Sequence, residues 1–196
     1  MDAPKSSFRR RHKNILEVGN ALLVVVDVQE RFRGHIEGYE ELIVRTAILL
    51  RGLEALGVPV VITEQYPQGL GPTVAEIKNI EGTETARLYF EKGHFSAAAS
   101  ADFIDYLQKS GRKQIIVCGI ETHVCVSQTV HDLLERGYQT HLVVDAVASR
   151  NAVDKEVGLK KMFASGSLPA TVEMVLFELL VRSGTADFKQ VQSLVK

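Results

Sequence analysis

The sequence predicts an α/β fold of three layers, α-β-α, built on a mostly parallel six-stranded sheet in the order 3-2-1-4-5-6. Three observations carry this expectation. From residue 21 onward, short β-branched apolar runs alternate with longer stretches of helical period. The first two runs, Ala21 to Val26 and Val58 to Thr63, are apolar throughout, as strands covered on both faces are. Finally, a chain of 196 residues, 45% of them hydrophobic and with no repeat or linker, suits one large core.

Ala21 to Val26 is the first strand. Leu42, Ile43, Thr46, Leu49, Leu50 and Leu53 then recur at helical spacing, and Gly57 followed by Pro59 closes that helix. Val58 to Thr63 is the second strand and Arg87 to Glu91 a weaker third. A helix around Ala101 to Lys109 follows, with Ser100 as N-cap and Gly111 past its end. Gln114 to Cys118 and Thr140 to Asp145 are the fourth and fifth strands, separated by the amphipathic segment His123 to Gly137. Asn151 to Ser165 is the next helix, closed by Gly166. Ala170 to Val172 opens a sixth strand before the apolar helix Glu173 to Val181. Residues 1–18, with Lys5, Arg9, Arg10, Arg11 and Lys13, read as a basic, flexible arm preceding a single domain, 19–196.

Composition narrows the functional classes. Lys and Arg (23) balance Asp and Glu (24), so net charge calls for neither nucleic acid nor an acidic membrane, and a small-molecule substrate is expected. Two cysteines seven positions apart form neither a disulfide framework nor a zinc spacing, and free thiols imply a reducing compartment. With no run of about 18 apolar residues and no apolar signal core, the chain reads as soluble and cytoplasmic.

In the predicted strand order the switch point lies between strands 1 and 4, and ligands bind there at the carboxyl ends. Strand 1 ends in Asp27 and strand 4 leads into Cys125. A thiol at the first turn of a helix meets unpaired backbone N–H groups and the positive end of the dipole, so a lowered pKa is expected for Cys125. Cys118, inside Ile115, Ile116 and Val117, reads as a packing residue. Asp27 follows five apolar residues, a desolvated setting that suits a general base. Lys92 ends strand 3, two strands away, and only a long side chain brings a charge from there to the switch point. Backbone amides near Glu121 and Cys125, in the turn Gly119 to Cys125, are placed to meet a developing oxyanion, where such donors contribute about 3 kcal/mol each.

These residues resemble the isochorismatase-like cysteine hydrolases, a family that includes nicotinamidases and N-carbamoylsarcosine amidohydrolases. Four stretches carry the resemblance, over about residues 20 to 190: LLVVVDVQERF, TEQYPQGLGPTV, EKGHFSA and CGIETHVCVSQTVHDLLERGYQTHLVVDA. The second is most similar to the isochorismatase-domain-containing subgroup. The resemblance implies a catalytic triad of Asp27, Lys92 and Cys125, a cis peptide before Glu121, and an oxyanion hole formed by the amides of Glu121 and Cys125. It further implies that Asp27 takes the thiol proton, that Cys125 attacks a small amide, and that water hydrolyses the resulting thioester.

Nicotinamidases hold a metal through an Asp and two His after the second strand. The corresponding stretch here, Thr63 to Pro72, contains no His, so neither a metal nor another cofactor is expected. The retained thiol favours amide over vinyl-ether hydrolysis. Gln29, Tyr66 and Phe95 each flank a triad motif and are expected to line the substrate pocket. His123, two residues before Cys125, is expected to face solvent or cap. His94 is close enough to Lys92 to touch substrate, whereas His131 and His141 show no partner pattern. A dinucleotide-binding role lacks its GxGxxG after strand 1. The remaining alternative is a non-catalytic or redox-sensing member of the same fold. Family members are commonly dimers or tetramers, and Glu173 to Val181 is apolar enough to pack against a second subunit, so a homo-oligomer is expected.

Overall fold

The structure, a computed structural model, describes residues 11–80 and 87–196. Six parallel strands form one sheet in the order β3-β2-β1-β4-β5-β6: β1 Ala21–Val26, β2 Val60–Gln65, β3 Arg87–Lys92, β4 Gln114–Ile120, β5 Gln139–Ala148 and β6 Leu168–Ala170. Every residue of β1 and β4 is buried, which accounts for the apolar run of β1 and of β4 from Ile115 onward. Their side chains alternate between the two faces. Leu23, Val25, Ile116 and Cys118 face a core covered by α1 (Tyr39–Ala55), while Leu22, Val24, Ile115 and Val117 face the opposite one.

Two short helices, α2 (Pro67–Leu70) and α3 (Ala75–Lys78), follow β2. The second core is closed by Phe103 and Leu107 from α4 (Ala101–Ser110), Val130 and Leu133 from α5 (Ser127–Glu135), and Met162 from α6 (Ala152–Ala164). On the first face, α7 (Val172–Leu180) contributes Val175, Leu176 and Leu179, and α8 (Ala186–Leu194) contributes Val191. Among the described residues no helix is long and apolar enough to cross a membrane.

Three local expectations differ from the structure. Residues 11–18 are not a free arm: Leu16 is fully buried, its amide donates to Glu178 Oε2 at 2.9 Å, and Arg11 Nη1 donates to the carbonyls of Leu16 and Glu178 at 3.0 and 2.8 Å. Lys5, Arg9 and Arg10 lie outside the described residues. Ser100 occupies the N-cap position of α4, but its side chain makes no capping bond. The sixth strand sits two residues earlier than expected because Thr171 is the N-cap of α7, its hydroxyl accepting from the Met174 amide.

His141, on β5, is 2% exposed, and its Nε2 has no hydrogen-bond partner among the described residues. Burial disfavours the charged ring and lowers its pKa to about 4. The unfolded chain therefore binds a proton below pH 6.5 that the native state refuses, so stability is complete above that pH and falls as pH drops toward 4. The loss is on the order of 2–3 kcal/mol. Urea unfolding of His141→Phe is expected to lack this acid-limb slope; an unchanged slope assigns the acid sensitivity elsewhere.

Candidate active site

The carboxyl ends of β1 and β4 converge where the register pairs Val26 with Gly119. A side chain at Gly119 does not fit, since a Cβ there would lie 2.1 Å from the Val26 carbonyl oxygen, and its φ is +113°. This close approach brings the Asp27 backbone beside the turn that carries Cys125. Asp27 itself has φ +53°, the left-handed conformation, which turns its carboxylate back over the strand end.

Asp27 is 1% exposed and both of its carboxylate oxygens are engaged. Oδ1 accepts from Thr63 Oγ1 at 2.7 Å and Oδ2 accepts from Lys92 Nζ at 2.6 Å. Lys92 reaches across β2 to do this, as its length allows, and its side chain is 2% exposed. The ammonium is otherwise satisfied by Gln65 Oε1 at 2.8 Å and by the carbonyls of Phe95 at 2.9 Å and His94 at 3.3 Å. A buried ion pair with this many donors and acceptors satisfied has a fixed geometry.

Beyond β4, a single π-helical turn, Thr122–Val126, precedes α5 and holds Cys125, 8% exposed. The Ile120–Glu121 peptide is cis. The Glu121 carbonyl accepts from the amides of Val124 and Val126, both at the Cys125 flanks, while the Glu121 amide donates to no acceptor among the described residues. Asp27 and Lys92 are the two charged side chains whose fields act on the Cys125 thiol.

The charge state of the thiol corrects the expectation of a lowered pKa. Burial pushes Cys125 up from 9 to about 12; the negative charge of Asp27 adds to this and the positive charge of Lys92 opposes it. The helix α5 starts only at Ser127, and desolvation beside a carboxylate outweighs its dipole. Cys118, fully buried on the opposite face, is likewise pushed up to about 12, by burial.

Among the residues expected to line the pocket, Gln29 is otherwise employed. It is 0% exposed, its amide nitrogen donates to the carbonyls of Gln65 and Gly71 at 3.0 and 2.6 Å, and its Oε1 accepts from the Gln65 amide at 2.7 Å. It braces the loop after β2 against β1 and has no donor left for a ligand. Tyr66 and Phe95 are exposed, at 60% and 54%, and their backbones flank Lys92: the Tyr66 amide donates to the Lys92 carbonyl and the Phe95 carbonyl accepts from Lys92 Nζ. His123 is half-buried and caps no helix; its Nδ1 bonds Ser149 Oγ at 3.0 Å.

Thr63 and Gln65 are site residues that sequence reasoning missed. The signal for them is strand periodicity. They stand two apart at the end of β2, on one face, and the register pairs Gln65 with Lys92 and Thr63 with Val26. Glu64, between Thr63 and Gln65 on β2, is spent on holding the loop that follows, its Oε1 accepting from the amide and hydroxyl of Thr73, both at 2.7 Å.

Residues 21–174 match the family model described as the isochorismatase domain. Isochorismatase domain-containing protein 2 of Bos taurus is 38% identical over 178 residues, 91% of this chain and 84% of that protein. Among solved structures, a MAR1 ribonuclease of Caenorhabditis elegans superposes with a TM-score of 0.86 at 39% identity, covering 92% of each chain. YcaC of Escherichia coli, described as an octameric hydrolase of unknown specificity, shares the fold with a TM-score of 0.81 at 22% identity, covering 94% of this chain and 92% of its own.

Proposed function

The chain belongs to the isochorismatase family, whose hydrolase fold it shares, and from that premise we propose that it is a metal-independent cysteine hydrolase acting on the C–N bond of a small amide. The observation that carries this reading is the buried Asp27–Lys92 pair at 2.6 Å beside a protonated, partly enclosed thiol. In the proposed reaction, Asp27 takes the Cys125 proton as sulfur attacks the amide carbon. The carbonyl electron pair moves onto oxygen, where the amides of Glu121 and Cys125 receive it. Collapse expels ammonia or an amine, with the proton returned by Asp27, and leaves a thioester on sulfur. Asp27 then deprotonates water, which releases the acid and restores the thiol.

Lys92 orients the Asp27 carboxylate, and its ammonium is committed to acceptors at Asp27, Gln65, His94 and Phe95. Exposed Tyr66 and Phe95 suit the rim of the pocket, where an apolar substrate surface meets water. No cofactor enters the scheme. The protein acts as a homo-oligomer in a reducing, cytoplasmic compartment; the octameric state described for YcaC and the partly exposed Met174 and Phe177 on α7 support assembly.

A panel of small amides scored for ammonia or amine release tests the reading, with an RNA oligonucleotide included because of the name carried by the worm relative. Hydrolysis of at least one amide and no RNA cleavage are expected; a formal net charge of −1 offers no electrostatic attraction to a polyanion. RNA cleavage that survives loss of the Cys125 thiol would overturn the reading.

A further inference from the structure

We propose that Glu121 and Arg150 form a positioning pair for the oxyanion-binding amide, an inference that rests on the cysteine-hydrolase reading above. Backbone pairing between β4 and β5 runs out at Ile120 and Ala148. Beyond that point side chains take over, and three consecutive residues of the nucleophile turn each bond one of the three consecutive residues Ala148 to Arg150, at and just past the end of β5. Thr122 Oγ1 donates to the Ala148 carbonyl at 3.0 Å, and His123 Nδ1 meets Ser149 Oγ at 3.0 Å. Glu121 Oε2 accepts from both the Arg150 amide, at 3.0 Å, and Arg150 Nε, at 3.1 Å. Gly158 backs the same turn, so close that a Cβ there would lie 3.1 Å from the His123 Cα.

Glu121 stands out in this clasp. Its side chain is 9% exposed, and its backbone N–H donates to no acceptor among the described residues. Two bonds on one carboxylate oxygen fix the Glu121 side chain and, through the Cα, the direction of that N–H. There is also an electrostatic consequence. A buried carboxylate beside the place where negative charge develops opposes that charge, and the Arg150 guanidinium neutralises it. The pair therefore acts on steps that create an oxyanion and not on the reactivity of the thiol as such.

This distinction supplies the test. Acylation of Cys125 by p-nitrophenyl acetate passes through an oxyanion: the S–C bond forms, the bond to p-nitrophenolate breaks with its electron pair, and the thiol proton passes to Asp27. Alkylation by iodoacetamide displaces iodide and creates no oxyanion. Arg150→Met is expected to slow the p-nitrophenolate burst about 10- to 100-fold while the iodoacetamide rate stays within about twofold. Arg150→Lys, which keeps a cation and the backbone donor, is expected to recover most of the burst. Arg150 is 59% exposed, so the variants are expected to fold, which circular dichroism checks. An unchanged burst in Arg150→Met, or an equal fall in both reactions, overturns the role of the pair alone. A native protein alkylated at Cys125 but never acylated there overturns the hydrolase reading and this role together.

Discussion

Replacing Cys125 with alanine is expected to lower turnover of any amide the protein hydrolyses by at least about 10⁴-fold, with little change in melting temperature. The first half follows from chemistry. Without sulfur there is no covalent intermediate, and what remains is binding and whatever oxyanion stabilisation the turn supplies to a direct attack by water. The second half follows from structure. Cys125 contributes one small, 8% exposed side chain to the edge of the core, and the Asp27–Lys92 pair keeps its bonds to Thr63, Gln65 and the Phe95 carbonyl without it. Steady-state kinetics and a thermal melt on the same preparation check both. Retained turnover at a tenth of the native rate or more would remove the thiol from the mechanism.

Lys92→Met is expected to cost stability and activity together. It leaves the Asp27 carboxylate, 1% exposed, without its counter-ion, a loss of about 3–5 kcal/mol. In a chain of this size that corresponds to roughly 10 °C in melting temperature. Combining it with Asp27→Asn replaces the pair by neutral groups, and asparagine tolerates the left-handed backbone at position 27. The double variant is therefore expected to regain most of the lost stability while remaining inactive, since no base is left for the thiol proton. Three melts and three activity assays form the cycle, and a double variant as unstable as the single one would mean that Lys92 stabilises through its other contacts.

The sheet was legible because parallel strands buried on both faces are nearly continuous apolar runs, as β1 and, after Gln114, β4 are. Strand order then brought Asp27 and Cys125 together without any knowledge of either. Lys92 needed the family resemblance, since a lysine ending an edge strand reads as a surface residue. Other features depend on three-dimensional relations that spacing does not encode. Gln29 looks like a pocket residue until its amide is seen bridging Gln65 and Gly71. The thiol sits before a helix, which suggests a lowered pKa, but burial and a neighbouring carboxylate raise it. Arg11 reads as one charge in a basic arm, whereas its guanidinium ties residues 11–18 to the C-terminal end of α7. Strand β5 runs on through Ala148, past a register shift between Val117 and Gly119 in its partner β4, and so carries Arg150 to the nucleophile turn.

The central claim is that Cys125 becomes covalently acylated during turnover. Intact-protein mass spectrometry of the native chain, acid-quenched during hydrolysis of a substrate from the amide panel, tests it most directly. A mass increase equal to the acyl group, mapped to Cys125 by peptide sequencing and absent from Cys125→Ala, is the predicted result. Under single-turnover conditions, complete product formation with no acyl adduct at any quench time, or an adduct on a residue other than Cys125, would contradict it.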